Sequence, residues 1–194
     1  MEKSLLIAGF GGQGVMLIGK TLGYAASKAD KYVTFSPAYG SEQRGGTANC
    51  TVVISEKQIS SPIKGAVDDL IVMNELSYEK FASKVKPGGR FIINSSMVLS
   101  KSGRDDISVF YIPVNEIAAE IGNALAANIA MLGAYMGISG ILDKDTVLDI
   151  VKQNLKDKPK LIDINVEAYN KGIEYAGAYA NPTRRSSDLI QQRY

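Results

Sequence analysis

Two glycine-rich stretches hold most of the chemistry that this sequence can offer. Gly9-Phe10-Gly11-Gly12-Gln13-Gly14 follows the apolar run Leu5 to Ala8 and precedes a helical pattern starting at Val15. The spacing is G-x-G-x-x-G. Glycines there let a backbone approach a phosphate closely, and the helix behind offers unpaired N–H groups and the positive end of its dipole. A dinucleotide site also needs an acidic residue closing the second strand, to hold a ribose hydroxyl. Near position 35 the chain has Phe35-Ser36-Pro37, and Asp30 comes too early. The residues leave three readings open: NAD, a tight strand-to-helix turn without a ligand, or a loop met by a phosphate or by another chain's backbone.

The second stretch runs from Ser36 to Thr47 and contains Tyr39, Gly40, Arg44, Gly45 and Gly46. Its polarity and length suit a functional loop. The planar fork of Arg44 could hold a carboxylate or a phosphate, Gly45-Gly46 frees the backbone beside it, and Tyr39 offers a flat stacking surface. A surface loop in which Arg44 pairs with Glu42 explains the same residues. Gly14 to Thr21 also satisfies the G-x4-G-K-[ST] phosphate-loop spacing. The four residues between its glycines are bulky and apolar, so they read as the start of a core-facing helix. Leu70 to Met73 ends in Asn74, where an ATPase would place a magnesium-binding Asp.

Other chemistry is excluded by composition. The chain has 194 residues, one cysteine (Cys50) and no histidine. One thiol closes no internal disulfide and holds no iron–sulfur cluster. Histidine-based zinc sites and histidine acid–base catalysis are ruled out within this chain. A formal charge of +2 is too weak to imply a nucleic acid or an anionic membrane as partner. Ile121 to Leu142 is free of charge and long enough to span a bilayer. Its asparagines and four glycines make a buried helix followed by a loop the better reading. The first apolar run is too short for a secretion signal, so a cytoplasmic location is expected.

The loops must be positioned by alternating strands and helices. Strands are expected at Leu5–Gly9, Tyr32–Phe35, Asn49–Ser55, Leu70–Met73, Phe91–Ile93 and Val109–Ile112. Helices are expected after Gly14, over Glu75–Val85 with a stop at Lys86-Pro87-Gly88-Gly89, and over most of the chain from Glu116, with Asp143 as a cap. Asp68-Asp69 reads as a solvated turn before its strand, Cys50 as a small core residue, Asn123 as a helix cap, and Asn128 as a candidate brace for a nearby loop. The pattern argues for a three-layer α/β/α domain with a mostly parallel or mixed sheet, over residues 1–180, followed by a polar tail over 181–194. Both glycine stretches follow strands, so they are expected to share one sheet edge.

Taken together, Gly9-Phe10-Gly11-Gly12-Gln13-Gly14-Val15 and Tyr39-Gly40-Ser41-Glu42-Gln43-Arg44-Gly45-Gly46-Thr47-Ala48-Asn49-Cys50 resemble the gamma subunit of 2-oxoacid:ferredoxin oxidoreductases, the 2-oxoglutarate type in particular. Ser61-Pro62 and Asn128 to Ala134 fit the same family. The resemblance implies a Rossmann-like fold of the kind in domain III of pyruvate:ferredoxin oxidoreductase. It implies a complex that converts a 2-oxoacid, coenzyme A and oxidised ferredoxin into an acyl-CoA, carbon dioxide and reduced ferredoxin. Thiamine diphosphate and iron–sulfur clusters would lie on partner alpha, beta and possibly ferredoxin-like delta subunits, with coenzyme A at the surface of this chain. The residues carrying that surface role would be Gly11, Gly12, Gln13, Gly14, Tyr39, Arg44, Gly45 and Gly46, with no catalytic residue here. A free-standing NAD or ATP protein and a pure assembly scaffold are the competing functions.

Overall fold

A computed structural model describes residues 1–40 and 47–178. Arg44, Gly45, Gly46 and the tail with Arg184-Arg185 lie outside the described residues. A six-stranded sheet is built from β1 (Glu2–Phe10), β2 (Tyr32–Tyr39), β3 (Thr47–Ser55), β4 (Val67–Val72), β5 (Val85–Asn94) and β6 (Ser108–Ile112) in the order β2-β3-β1-β4-β5-β6. β1, β4, β5 and β6 are mutually parallel, and β3 runs against both of its neighbours, β1 and β2. The helices are α1 (Val15–Lys28), α2 (Glu75–Phe81), α3 (Val114–Glu120), α4 (Ala127–Ser139), α5 (Lys144–Asn154) and α6 (Ile162–Gly177).

Strand alternation divides the core. Leu5 and Ile7 of β1, with Ile71 and Ile92, face the larger cluster, which α1 and α3 to α6 complete. Leu6, Ala8, Leu70, Val72, Phe91 and Ile93 face a thinner layer closed by Phe81 of α2 and by Val98. The expected three-layer architecture is therefore present, with one layer much thicker than the other. α4 is apolar around most of its circumference and lies within the thicker layer, where it meets α6 backbone to backbone. A Cβ on Gly133 would lie 2.0 Å from the Tyr169 carbonyl oxygen, and one on Gly172 would lie 2.0 Å from that of Ala130.

Several expected elements shift. Ser36 to Tyr39, expected in a loop, continue β2, because an edge strand accepts Pro37. The helix expected to reach Val85 ends at Phe81 in a single 3-10 turn, Ala82–Lys84. Lys86 to Gly89 belong to β5, where a register shift against β4 absorbs Pro87 and the positive φ of Gly88. Asp68-Asp69 is no solvated turn. Asp69 is 1% exposed. Its carboxylate accepts two bonds from Arg90, Nε at 2.7 Å and Nη2 at 2.8 Å, and a third from the Tyr135 hydroxyl at 2.9 Å. Arg90 Nη1 also donates to the carbonyls of Ile138 and Ser139 at the end of α4. Asp68 accepts from the Ser4 backbone and hydroxyl and from Lys86; burial alone would raise its pKa, but these donors leave it lowered. Cys50 is fully buried in β3, Asn123 accepts from the Leu125 N–H, and Asp143 caps α5 through the Thr146 N–H, all as expected.

The helix contact sets a contrast between two glycines. Gly133→Ala forces α4 off α6 and is expected to lower stability by about 3 kcal/mol or more. Gly23→Ala lies inside α1, where its Cβ meets only Val33 at 4.0 Å, and it is expected to raise stability by about 0.5–1 kcal/mol. Thermal melts of the two variants check both signs.

Candidate functional site

The connection from β1 leads toward β2 on one side of the sheet, while β4 starts the run toward β6 on the other side. The β1–β4 boundary is therefore a topological switch point, the place where open α/β sheets bind ligands beyond the carboxyl ends of their parallel strands. The Gly9–Gly14 loop stands on one side of it and the β4–α2 junction on the other. The side chain of Gln13 bridges them. Its Oε1 accepts from the Phe10 N–H at 2.8 Å and from Asn74 Nδ2 at 2.7 Å, and its Nε2 donates to the Met73 carbonyl at 3.2 Å. Asn74 in turn caps α2 through the Ser77 N–H. Asn94 at the end of β5 donates to the same Met73 carbonyl and to Asn115 Oδ1. A relay of carboxamides thus crosses the carboxyl ends of β1, β4 and β5 and reaches the start of α3.

The loop itself is open outward. A Cβ on Gly11 or Gly12 would meet nothing within 4 Å, so the described residues leave the space before them free. Gly12 and Gly14 have φ of +95° and +75°, which other residues adopt only with strain. No side chain caps α1 and no acid lies in its first turn. The amides opening that helix therefore present positive potential to whatever approaches the glycines. Asn128, in the first turn of α4, is packed against Gly14 so closely that a Cβ there would fall 1.9 Å from its Nδ2. It packs beneath the loop by contact, and its buried Oδ1 has no hydrogen-bond partner among the described residues.

The second stretch stands on the same edge. Gly9 pairs with Ala48 and Ala48 with Tyr39. Two strand spacings, about 10 Å, thus separate the glycine loop from the base of the second loop. Tyr39 is 73% exposed there. Lys80 of α2 reaches over and donates to Thr47 Oγ1 at 3.3 Å, adding a cation that the sequence pattern did not single out. Of the candidate residues, Gly11, Gly12, Gln13, Gly14 and Tyr39 are brought to one edge, with Gln13 using its side chain to hold the loop.

Nucleotide chemistry of the two motif types does not fit this arrangement. The antiparallel β3 lies between β1 and β2, so the end of β2 is a strand farther away than a ribose-binding acid requires. Lys20 and Thr21 lie within α1, with Thr21 buried and bonded to Asn154. A cluster site fits no better. Burial pushes the Cys50 thiol up to about 12, and its Sγ lies 3.5 Å from the Val15 carbonyl. Among the described residues no three His, Cys, Asp or Glu side chains come together as metal ligands. No helix among them is long and apolar enough to cross a membrane.

Residues 4–175 match the pyruvate ferredoxin/flavodoxin oxidoreductase family. The chain belongs to that family. Over 177 residues it is 40% identical to the ketoisovalerate oxidoreductase subunit VorA of Methanothermobacter marburgensis, covering 90% of this chain and 37% of the relative. It therefore spans little more than a third of that protein. The 2-oxoglutarate synthase subunit KorC of Methanocaldococcus jannaschii is 34% identical over 183 residues, covering 91% of this chain and 95% of the relative. Among solved family structures, the gamma subunit of a keto/oxoacid ferredoxin oxidoreductase from Geobacter sulfurreducens is 25% identical. It superposes with a TM-score of 0.82 over 92% of this chain and 98% of that one. A 2-oxoglutarate:ferredoxin oxidoreductase from Magnetococcus marinus, with 2-oxoglutarate, coenzyme A and succinyl-CoA bound, shares the fold with a TM-score of 0.84. It is 23% identical and is matched over 91% of this chain and 31% of its own.

The two kinds of glycine predict opposite behaviour. Gly14→Ala combines a positive φ with a clash against Asn128 and is expected to destabilise by more than about 2 kcal/mol. Gly11→Ala is expected to melt with the native protein. Circular dichroism melts distinguish them, and equal destabilisation by both would contradict this reading.

A pH dependence follows at the neighbouring loop. Glu75 accepts from the Ser100 hydroxyl and from the backbone N–H groups of Leu99 and Ser100. The hydroxyl bond, with these N–H groups, holds its carboxyl below the usual glutamate range against slight desolvation. The lowered value means that the tie is complete above about pH 4.3 and is lost as pH falls further. Protection of the Leu99 amide in hydrogen exchange, corrected for intrinsic rate, is expected to stay level down to that region and then drop.

Proposed function

We propose that this chain is the gamma-type component of a 2-oxoacid:ferredoxin oxidoreductase, supplying the surface against which coenzyme A is held rather than the redox centres. In the overall reaction the 2-oxoacid loses carbon dioxide, its acyl group passes to the coenzyme thiol, and two electrons leave to ferredoxin. Thiamine diphosphate and iron–sulfur clusters supply the carbanion and electron chemistry when bound. The residues here suit neither, so we assign both to the alpha, beta or delta partners.

The observation that carries the proposal is the open glycine edge at the switch point. Gly11 and Gly12 leave room for a backbone-close approach, and the uncapped start of α1 favours an anion there. Exposed Tyr39 offers an aromatic face on the same edge, and Lys80 a positive charge. Arg44, on the connection between β2 and β3, would add a second cation. Together these groups match a ligand with phosphates at one end and a flat base at the other, which is the chemistry of coenzyme A. The fold neighbour from Magnetococcus marinus has that coenzyme bound in its complex. The 2-oxoacid itself is 2-oxoglutarate or a branched-chain acid, as named for the KorC and VorA relatives, and is selected by another subunit.

Steady-state kinetics on the assembled complex test this. Gly11→Ala and Arg44→Ala are each expected to raise KM for coenzyme A about tenfold, equivalent to about 1.4 kcal/mol, with KM for the 2-oxoacid unchanged. The isolated chain is expected to show no turnover. Tight NAD or ATP binding, or 2-oxoacid oxidation by the chain alone, would overturn the assignment.

A further inference from the structure

Asn74 stands where an ATPase would place an acid, and the fold gives it two tasks at once. It follows β4, and its Oδ1 accepts the Ser77 N–H at 2.9 Å, capping α2. Serine, threonine or aspartate would cap a helix as well. What asparagine adds is a donor on the same side chain. Its Nδ2 donates to Gln13 Oε1 at 2.7 Å. Asn74 is 2% exposed, so this amide depends on protein acceptors, and burying it unpaired would be costly.

The direction of the relay is imposed from its backbone ends. The N–H groups of Ser77 and Phe10 only donate, so the Asn74 and Gln13 oxygens must face them. The Met73 carbonyl only accepts, so it takes Gln13 Nε2 and Asn94 Nδ2. Neither Asn74 nor Gln13 can turn its carboxamide over without breaking the bonds at both of its ends. Gln13 has two ties to the β4–α2 junction, 2.7 Å to Asn74 and 3.2 Å to the Met73 carbonyl. Removing the Asn74 donor takes away the shorter one. The same residue opens α2, which carries Lys80 to Thr47. Asn74 therefore sets the glycine loop and the cation across from it in one frame.

We propose that Asn74 is a positioning residue for the ligand of the glycine loop: its amide, acting through Gln13, holds the Gly11-Gly12 backbone in its outward-open shape, while its oxygen separately holds α2. The identity of that ligand, coenzyme A, rests on the gamma-type reading above; the positioning of the loop does not. The two tasks come apart in a residue that keeps the cap and lacks the amide, which leaves the helix in place and releases the loop.

Asn74→Ser keeps a capping oxygen, adds no charge and removes the donor. In the assembled complex it is expected to raise KM for coenzyme A about fivefold, the effect of losing one such hydrogen bond, with KM for the 2-oxoacid unchanged. Gln13→Ala is expected to raise it at least as much. Adding Asn74→Ser to Gln13→Ala is expected to raise it no further, because the amide acts through that side chain. Hydrogen exchange reads the loop directly. Protection of the Phe10 amide, which donates to Gln13 Oε1, is expected to fall in Asn74→Ser, while that of the Tyr78 amide, which donates to the Asn74 carbonyl in α2, stays native. Asn74→Asp, of native size and also a cap, is expected to give the same exchange pattern and serves if the serine variant does not assemble. Native Phe10 protection in both variants overturns the proposal. So does equal loss of protection at Tyr78, or a double variant in which the two effects on KM multiply. Faster Phe10 exchange with an unchanged KM for coenzyme A upholds the positioning of the loop and removes the coenzyme reading instead.

Discussion

The approach of α4 to α6 is the constraint on which the rest of the molecule depends. Gly133 and Gly172 let the two backbones touch, and only that closeness leaves room for α4 inside the thicker layer. α4 then works at both ends. Its start presses Asn128 against Gly14 beneath the glycine loop. Its end offers the Ile138 and Ser139 carbonyls to Arg90, which grips Asp69 in β4. The Asp69 carboxylate is buried with three donors around it, the condition under which a buried charge is tolerable. One helix therefore couples the packing at the amino end of the parallel strands to the loop geometry at their carboxyl end.

At that carboxyl end the work is done mainly by neutral groups. Gln13, Asn74, Asn94 and Asn115 bond to one another and to backbone, so the loop shape does not depend on a titrating side chain. Positive potential at this edge comes instead from Lys80, which reaches Thr47, and from the amides that open α1. The division suits a component that orients a coenzyme and contributes no electrons. The only thiol, Cys50, lies in β3 within the thicker core layer, where burial suppresses its ionisation.

Much of this was legible in the residues. The loop motif stood where a strand gives way to a helix, and the two glycine stretches together identified the family. The apolar runs located the strands because a sheet covered on both faces leaves continuous hydrophobic segments. Three features escaped for physical reasons. The polarity and length of the stretch from Ser36 suggested a loop, yet Ser36 to Tyr39 extend an edge strand, which needs no donor from Pro37. Asp68-Asp69 looked solvated because their partners, Ser4, Lys86, Arg90 and Tyr135, are remote in sequence. Lys80 gave no signal, since only the crossing of α2 over the sheet brings it to Thr47. The carboxamide relay did leave a trace. Asn74 and Asn94 each close a buried apolar run, the place where a strand end enters a crevice.

The reversed direction of β3 has one more consequence. Because β2 and β3 run antiparallel, no crossover helix is needed to return the chain from one to the other. The glycine loop, by contrast, is locked between β1, α1, α2 and α4. The edge thus sets a turn held on four sides beside a join that needs no returning helix, so chains of this fold could diverge in what they grasp between β2 and β3 while the scaffold beneath stays untouched.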